Sequence, residues 1–257
     1  MSREQKWPDV LWLVRHGQSA SNVARDAAEA AGLKEIALAV RRDMDVPLSQ
    51  LGEQQARSLG RWFGQLPAGA QPEVVLTSTY LRSRTTAEIA LQAAGLSTDD
   101  VTLIADERLR EKEFGILDRL TKEGIREKFP EQYEFRDAIG KFYHRPPGGE
   151  SWCDVILRLR SVIDTLTREY RGERVLIIAH SVVVLCFRYL IEHMTEDEIL
   201  QIDRTDDVAN CAITEYAYDA QSSRRGRLVL RRYNFVAPLE TEGTRVTTKK
   251  DVPTAPK

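Results

Sequence analysis

The triplet Arg15-His16-Gly17 stands directly after the short apolar run Val10–Val14. Such a run predicts a β-strand, and Gly17 lets the backbone turn sharply behind it. In an open α/β sheet, ligands bind at the carboxyl ends of the strands, which is where His16 would lie. A neutral imidazole beside the permanent charge of Arg15 is poorly placed to hold a metal cation. It is well placed to attack a phosphorus atom whose charge the arginine neutralises.

Three further polar groups follow predicted strands. Arg82 lies at the start of a predicted helix behind the run at 74–77, and a helix N-terminus beside an arginine attracts anions. Glu111 and Glu113 follow the third run, and His180 follows the fourth. A single histidine after a strand more often has a structural role, but two histidines in matching positions favour a functional role. Together these groups suit phosphoryl transfer, in which a histidine attacks, cations bind the oxygens and an acid protonates the leaving group.

The elements that would position these residues alternate along the chain. Helical spacing or capping signals occur at 49–63, 81–94, 151–166, 182–194 and 195–198. β-rich runs occur at Val10–Val14, Val74–Thr77, Thr102–Ile104, Val175–Ala179, Ala212–Tyr218 and Leu228–Asn234. This order predicts an α/β fold, a three-layer αβα sandwich with a mostly parallel sheet and an antiparallel edge.

Three segments stand apart from this alternation within residues 1–237, which are predicted to form a single domain. The insertion at about 26–43 is Ala-rich and is expected to form a plain amphipathic helix over 27–39. The excursion at about 105–149 is rich in charges, aromatics and prolines, and is typical of a partly helical, lid-like cover over a substrate site. Residues 238–257 contain few apolar side chains and are predicted to be a disordered tail.

Composition excludes several functions. The 257 residues carry a net charge of -2, so nothing favours a nucleic-acid partner. The most apolar stretch, Val182–Ile191, is too short to span a bilayer, and Met1–Asp9 lacks the apolar core of a signal peptide. Three widely spaced cysteines lack zinc spacing and favour a reducing, cytoplasmic location. We expect no metal, no membrane partner and a small phosphorylated substrate, and a homodimer stays open.

Five motifs in order resemble the histidine phosphatase superfamily, which includes phosphoglycerate mutases and fructose-2,6-bisphosphatases. The tripeptide Arg-His-Gly alone is weak, but the match extends over roughly residues 10–235. The motifs are Arg15-His16-Gly17-Gln18-Ser19 with Asn22, Pro47-Leu48-Ser49 with Gly52 and Gln55-Ala56, Ser78 with Arg82 and Thr86-Ala87, Glu111 with Gly115, and His180.

The resemblance implies a role for each matching residue. His16 would be the nucleophile that forms a phosphohistidine, and Arg15, Arg82 and His180 would bind the phosphoryl oxygens. Glu111 matches the proton donor by its spacing to Gly115, with Glu113 as the competing candidate. Substrate contacts are expected from Gln18, Ser19, Asn22, Arg136, Glu150, Ser151 and Ser181. The resemblance implies no cofactor.

Within the family, the segments around Thr121, Arg136 and Glu150 favour the fructose-2,6-bisphosphatase-like branch. Ser181 and Leu185 replace a glutamine and a basic residue of that pattern, and Lys122 and Trp152 replace tyrosines. The predicted function is therefore hydrolysis of a small phosphomonoester, through a phosphohistidine, rather than of fructose 2,6-bisphosphate itself. The alternatives are a 2,3-bisphosphoglycerate-dependent phosphoglycerate mutase, a phosphoprotein phosphatase and a non-catalytic phospholigand-binding protein.

Overall fold

A six-stranded sheet lies at the centre of this computed structural model, which describes residues 5–97, 99–224 and 226–248. The strands are β1 (Val10–Arg15), β2 (Val74–Ser78), β3 (Thr102–Asp106), β4 (Arg174–Ala179), β5 (Ile213–Asp219) and β6 (Arg227–Phe235), in the order β3-β2-β4-β1-β5-β6. The pairs β2–β3, β2–β4 and β1–β4 are parallel, whereas β5 pairs antiparallel with both β1 and β6. The predicted sheet with its antiparallel edge is confirmed.

The helices begin where the sequence offers caps. Ser49, Ser151 and Thr195 each accept a main-chain hydrogen bond in the first turn of the helix that follows them. The helices are α1 (Ala20–Ala30), α2 (Gln50–Gly64), α3 (Leu81–Ala94), α4 (Lys122–Lys128), α5 (Pro130–Ile139), α6 (Trp152–Glu169), α7 (Ser181–Ile191), α8 (Glu196–Thr205) and α9 (Ala237–Thr241). Within the described ranges, none of them is long and apolar enough to cross a membrane.

Two apolar layers cover the two faces of the sheet. Successive strand residues point to opposite faces, so Leu13 and Ile177 join a core with α6 and α7. Val14 and Ile178 join a second core with α2, α3 and α9. The central strands are buried on both sides, which explains why they read as unbroken apolar runs. The predicted αβα layering is confirmed.

The strand register places the two histidines side by side. Arg15 at the end of β1 pairs with Ala179 at the end of β4. The main chain continues this pairing, since His16 N donates to Ala179 O at 3.0 Å. His180 is the residue that directly follows β4, so both imidazoles emerge at the same edge of the sheet.

The insertion is helical over a shorter stretch than expected. α1 ends at Ala30, and Gly32 follows with a left-handed φ of 64° that stops the helix. The chain then pairs with the cover, because Thr121 N donates to Lys34 O at 3.0 Å and Ile36 N to Arg119 O at 2.8 Å. The expectation of a helix over 27–39 is therefore wrong beyond Ala30. We call residues 31–45 the strap and residues 105–149 the cover.

The first part of the predicted disordered tail is ordered. Residues Ala237–Thr241 form α9, and Leu239 is fully buried against α2 and α3. Thr247 is hydrogen-bonded to Asn210 through its main chain at 2.8 Å and through its hydroxyl at 2.9 Å. One buried leucine and a few long-range hydrogen bonds order the segment, which composition alone does not reveal. Residues 249–257 lie outside the described residues.

Candidate active site

His16 is held as a neutral imidazole with its lone pair on Nε2. It is fully buried, and its Nδ1 lies 2.7 Å from Gly17 O. A carbonyl oxygen only accepts hydrogen bonds, so Nδ1 must carry the proton and Nε2 must be the basic nitrogen. Arg82 Nε donates to that Nε2 at 3.2 Å. This is the tautomer that a histidine nucleophile requires.

Three buried side chains fix the backbone of the loop that carries His16. The bonds run from Asn210 Nδ2 to His16 O (2.9 Å), from Gly17 N to Thr86 Oγ1 (3.1 Å) and from Gln18 N to Gln55 Oε1 (2.8 Å). The loop also packs on α2 so closely that a Cβ at Gly17 would lie 2.4 Å from Gly52 O. Sequence reasoning missed Asn210, because its partner is 194 residues away and no local signal marks it.

Two buried arginines bring positive charge to this edge of the sheet. Arg15 is fully buried, and its Nη1 donates to Val208 O at 2.7 Å. Arg82 lies in the first turn of α3 and is 2 % exposed. Besides its bond to His16, Arg82 donates through Nη1 to the main-chain oxygen of Asp43 at 2.8 Å and through Nη2 to Asp43 Oδ2 at 2.9 Å. No local pattern in the sequence singles out Asp43.

His180 lies against His16 and is anchored from the β2 side. The two imidazole centroids are 5.1 Å apart. His180 Nε2 lies 2.8 Å from Ser78 Oγ, and its ring is 5.1 Å from the ring of Tyr80. His180 also immediately precedes α7, whose N-terminus favours negative charge. The structure thus brings together four predicted residues: Arg15, His16, Arg82 and His180.

The two candidate acids occupy different environments. Glu111 is 2 % exposed and lines a small pocket with Arg82 and Asp43, which we call the inner pocket. The side chain of Glu113 is 46 % exposed, and its Oε1 accepts a hydrogen bond from Tyr80 Oη at 2.7 Å. A proton donor to a buried leaving group has to lie inside the site, so the geometry favours Glu111.

Several residues that are predicted to contact the substrate make hydrogen bonds within the protein. Ser19 and Asn22 form the capping box of α1, in which Ser19 N donates to Asn22 Oδ1 at 2.9 Å. Gln18 Oε1 accepts from Ser49 Oγ at 2.8 Å. These residues shape the loop after β1, and their contacts with substrate stay predictions.

Glu150 and Ser151 support the cover. The Glu150 carboxylate pairs with Arg110 at 2.6 Å and with Arg158 at 3.0 Å. Ser151 is the N-cap of α6. Glu150 lies beside the chain that carries Glu111, because its main-chain N donates to Glu113 O at 2.9 Å and its Oε2 accepts from Glu113 N at 3.1 Å.

A second cavity, which we call the outer cavity, adjoins the inner pocket through Phe114, which lines both. Arg136 and Ser181, both predicted, line it together with Lys112 and His144. Burial, followed by the charge of Arg136, lowers the pKa of Lys112 to about 8. Burial also lowers the pKa of His144 to about 4, and the same two cations act in that direction. The cavity lining includes three cations and three acids: Lys112, Arg136 and Lys141, and Asp203, Asp206 and Asp207. An anion bound beside Lys112 would stabilise the charge that burial disfavours.

Among the acids lining the outer cavity, Asp203 is paired with Lys141. Neither Lys112 nor Arg136 has a carboxylate within ion-pair distance in the described part of the chain. Lys112 Nζ instead lies 4.3 Å from the centroid of the Phe114 ring. No group of three or more His, Cys, Asp or Glu side chains in the described ranges could hold a metal ion.

Known proteins resemble this chain over most of its length. Residues 11–230 match the family model of the histidine phosphatase superfamily (branch 1). The chain is 31% identical over 191 residues to a fructose-2,6-bisphosphatase of Saccharomyces cerevisiae, across 74% of this chain but only 36% of that protein. It is 33% identical over 201 residues to a 2,3-bisphosphoglycerate-dependent phosphoglycerate mutase of Methylorubrum populi, across 76% of this chain and 84% of that protein.

The fold is shared with a solved structure, Bacillus stearothermophilus YhfR, at a TM-score of 0.69 and 24% identity, covering 90% of this chain and 98% of that one. This chain belongs to the histidine phosphatase superfamily. It is an enzyme of the histidine phosphatase type, as the motifs predict. The roles of the individual site residues stay predictions.

Proposed function

We propose that the chain hydrolyses phosphomonoesters of small metabolites through a phosphohistidine on His16. The observation that carries this proposal is the bond between His16 Nδ1 and Gly17 O, which leaves Nε2 as the attacking nitrogen. In the first step a bond forms between Nε2 and phosphorus while the bond from phosphorus to the leaving oxygen breaks. Glu111, protonated at this stage, transfers its proton to that oxygen.

The second step releases phosphate. A water molecule gives a proton to the Glu111 carboxylate while the water oxygen attacks phosphorus. The bond between phosphorus and His16 Nε2 breaks in the same step. Arg15, Arg82 and His180 bind the phosphoryl oxygens in both steps. Burial of Glu111 supports its acid role, since removal from water disfavours an ionised carboxyl.

The remainder of the substrate occupies the outer cavity in this proposal. Lys112 and Arg136 favour a substrate that carries a second anionic group at its far end, such as a carboxylate or another phosphate. Phe114 lines both the inner pocket and the outer cavity, so the two cavities lie next to each other. A phosphoryl site this close to the site for the rest of the substrate favours a small metabolite over a protein. Trp152 and Leu185 line the same cavity and distinguish it from a site for fructose 2,6-bisphosphate.

Metal-independent turnover and a cytoplasmic location belong to the same proposal. The buried arginines supply the positive charge that phosphoryl transfer requires. Cys153, Cys186 and Cys211 are unpaired, which is consistent with a reducing compartment. The partner is a small phosphorylated substrate rather than nucleic acid or membrane, and a homodimer stays open.

A phosphoglycerate mutase is the second candidate, favoured by the 33% identity to such an enzyme over most of its length. A mutase has to keep water from the phosphohistidine until the phosphoryl group returns to substrate. The strap and the cover pack together beside the inner pocket, which is the kind of closure a mutase needs.

The test is phosphate release from a panel of phosphomonoesters in EDTA, with 3-phosphoglycerate plus 2,3-bisphosphoglycerate included and its isomers followed. We expect release from at least one ester, lowered by at least about 10⁴-fold in His16→Ala. His193→Asn is the control, since His193 lies outside the site and asparagine tolerates its φ of 55°.

Each other outcome rejects part of the proposal. Isomerisation faster than release would assign the mutase activity. Release that persists in His16→Ala would refute the phosphohistidine. If no ester in the panel releases phosphate but phosphate compounds still raise the melting temperature, the chain is a phospholigand-binding protein.

A further inference from the structure

Asp43 places a carboxylate on the arginine that should hold the phosphoryl group. Arg82 Nη2 donates to Asp43 Oδ2 at 2.9 Å, and Nη1 lies 3.3 Å from Asp43 Oδ1. The same guanidinium donates through Nε to His16 Nε2 at 3.2 Å. Arg82 therefore presents one edge to the nucleophile and the adjoining edge to a carboxylate. Arg82 and Asp43 both border the inner pocket.

Carboxylates and phosphates bind the arginine fork in the same bidentate manner. A phosphoryl group attached to His16 Nε2 would need hydrogen bonds from the Arg82 N–H groups that lie on the side of the guanidinium facing His16. With Asp43 in place, those groups are partly used, and a dianion would lie next to a second negative charge. The charge of Asp43 already acts on its surroundings: burial raises the pKa of Asp118 in the same pocket, and Asp43 raises it further.

Of the two partners, Asp43 is the one able to move. The side chain of Arg82 is 3 % exposed and is fixed by His16, whereas that of Asp43 is 32 % exposed. Asp43 also begins a single 3-10 turn, Asp43–Asp45, within the strap. The Arg82 bond to the main-chain oxygen of Asp43 at 2.8 Å can persist while the carboxylate rotates away.

We propose that Asp43 is a displaceable carboxylate that occupies the phosphoryl position on Arg82 and sets the affinity of the site for phosphate. The proposal rests on the phosphate site of the proposed function. Its consequence is greatest after hydrolysis, because the returning carboxylate competes with inorganic phosphate for Arg82. Asp43 would thus weaken substrate binding and also limit inhibition by the product.

The test is isothermal titration of inorganic phosphate into the wild-type chain and into Asp43→Asn, with Asp43→Ala as a second variant. We expect about tenfold tighter phosphate binding in both variants, equivalent to about 1.4 kcal/mol. The product-inhibition constant for phosphate should fall by the same factor. Because binding is measured without turnover, the result is informative even if no ester is hydrolysed.

Two controls separate displacement from a general change of charge. Asp45→Asn removes the other acid of the same turn, which pairs with Arg42 at 2.6 Å rather than with Arg82. Asp118→Asn removes an acid that lines the inner pocket, where its ion-pair neighbour is Arg119 at 3.7 Å. Both should change phosphate affinity by less than about threefold, because a partly exposed charge without a direct contact is screened.

Unchanged or weaker phosphate binding in the Asp43 variants would overturn the inference, since Asp43 would then only orient Arg82. An equal gain in Asp118→Asn would also overturn it, because it would assign the effect to net charge. If the wild-type chain hydrolyses nothing but the Asp43 variants bind phosphate more tightly, the proposed function fails and the competition at Arg82 stands.

Discussion

The hydroxyl of Thr247 links the C-terminal segment to the loop that carries the nucleophile. Thr247 Oγ1 accepts a hydrogen bond from Gln55 Nε2 and donates one to Asn210 Oδ1, each at 2.9 Å. The opposite ends of those two amides bind the main chain of the loop, at Gln18 N and His16 O. The main-chain groups fix which way both amides point, and Gln55 Nε2 also donates to Arg245 O at 2.9 Å. The Thr247 hydroxyl, which can both accept and donate, bridges the two amides on the side away from the loop.

Replacing Thr247 by valine removes both hydrogen bonds and preserves the shape of the side chain. Each bond contributes about 1 kcal/mol net, and the site is only partly buried, so we expect the free energy of unfolding to fall by about 1–2 kcal/mol. That corresponds to a decrease of roughly 2–8 °C in Tm. A displacement of His16 by a fraction of an ångström should lower kcat about tenfold.

The assay combines steady-state kinetics on the best ester with thermal unfolding. KM should change little, because Arg15 and Arg82 keep their own contacts. Thr244→Val is the matched control: Thr244 lies on the same segment as Thr247, and its hydroxyl bonds to Ser58 Oγ at 2.8 Å. Among the described residues, its side chain has no hydrogen bond to the loop. Thr244→Val should lose stability and keep its kcat, and Thr247→Ser should recover the activity. Equal kcat values in Thr247→Val and Thr244→Val, at equal losses of Tm, would refute the reasoning.

Two further predictions concern the acid and the far end of the substrate. Glu111→Gln should lower kcat by about 10²–10⁴-fold on an ester with a poor leaving group, and Glu113→Gln by only a few-fold; the reverse order of losses would assign the proton donor to Glu113. Because the pKa of Lys112 is lowered to about 8, its charge is present below that pH and is lost above it. For a substrate with a second anionic group, KM should therefore rise as the pH passes 8, and Lys112→Met should have a high KM that no longer changes there. A wild-type KM that stays flat from pH 7 to 9 would exclude Lys112 from binding that group.

The parts of the fold that follow from local patterns were predictable. The β1 and β4 runs are recognisable because strands buried on both faces require uninterrupted apolar side chains. The topology of parallel strands then brings Arg15, His16 and His180 to one edge without any long-range information. Ser49 and Thr195 likewise mark helix starts through bonds that span three residues.

The parts that depend on distant partners were not predictable. The strap leaves the helical state after Ala30 because it pairs with residues of the cover that lie about ninety positions away. Asn210 and Thr247 look unremarkable in the sequence, since their importance comes only from the contacts they make with the loop. The choice between Glu111 and Glu113 also depends on packing: the segment is not a strand, so the two side chains do not share a face.

The geometry separates the reaction from its specificity. His16, Arg82 and His180 stand at the ends of central strands and at helix N-termini, where movement would disturb the cores on both faces of the sheet. The contacts expected at the far end of the substrate come from the cover and from α7, and the competing carboxylate comes from the strap. Loops that differ in these segments can change the substrate, and can change how well water is excluded, without moving the nucleophile. This arrangement accounts for a chain that is about equally similar to a phosphatase and to a mutase, and it directs the search for its substrate to the cover and the strap rather than to the histidines.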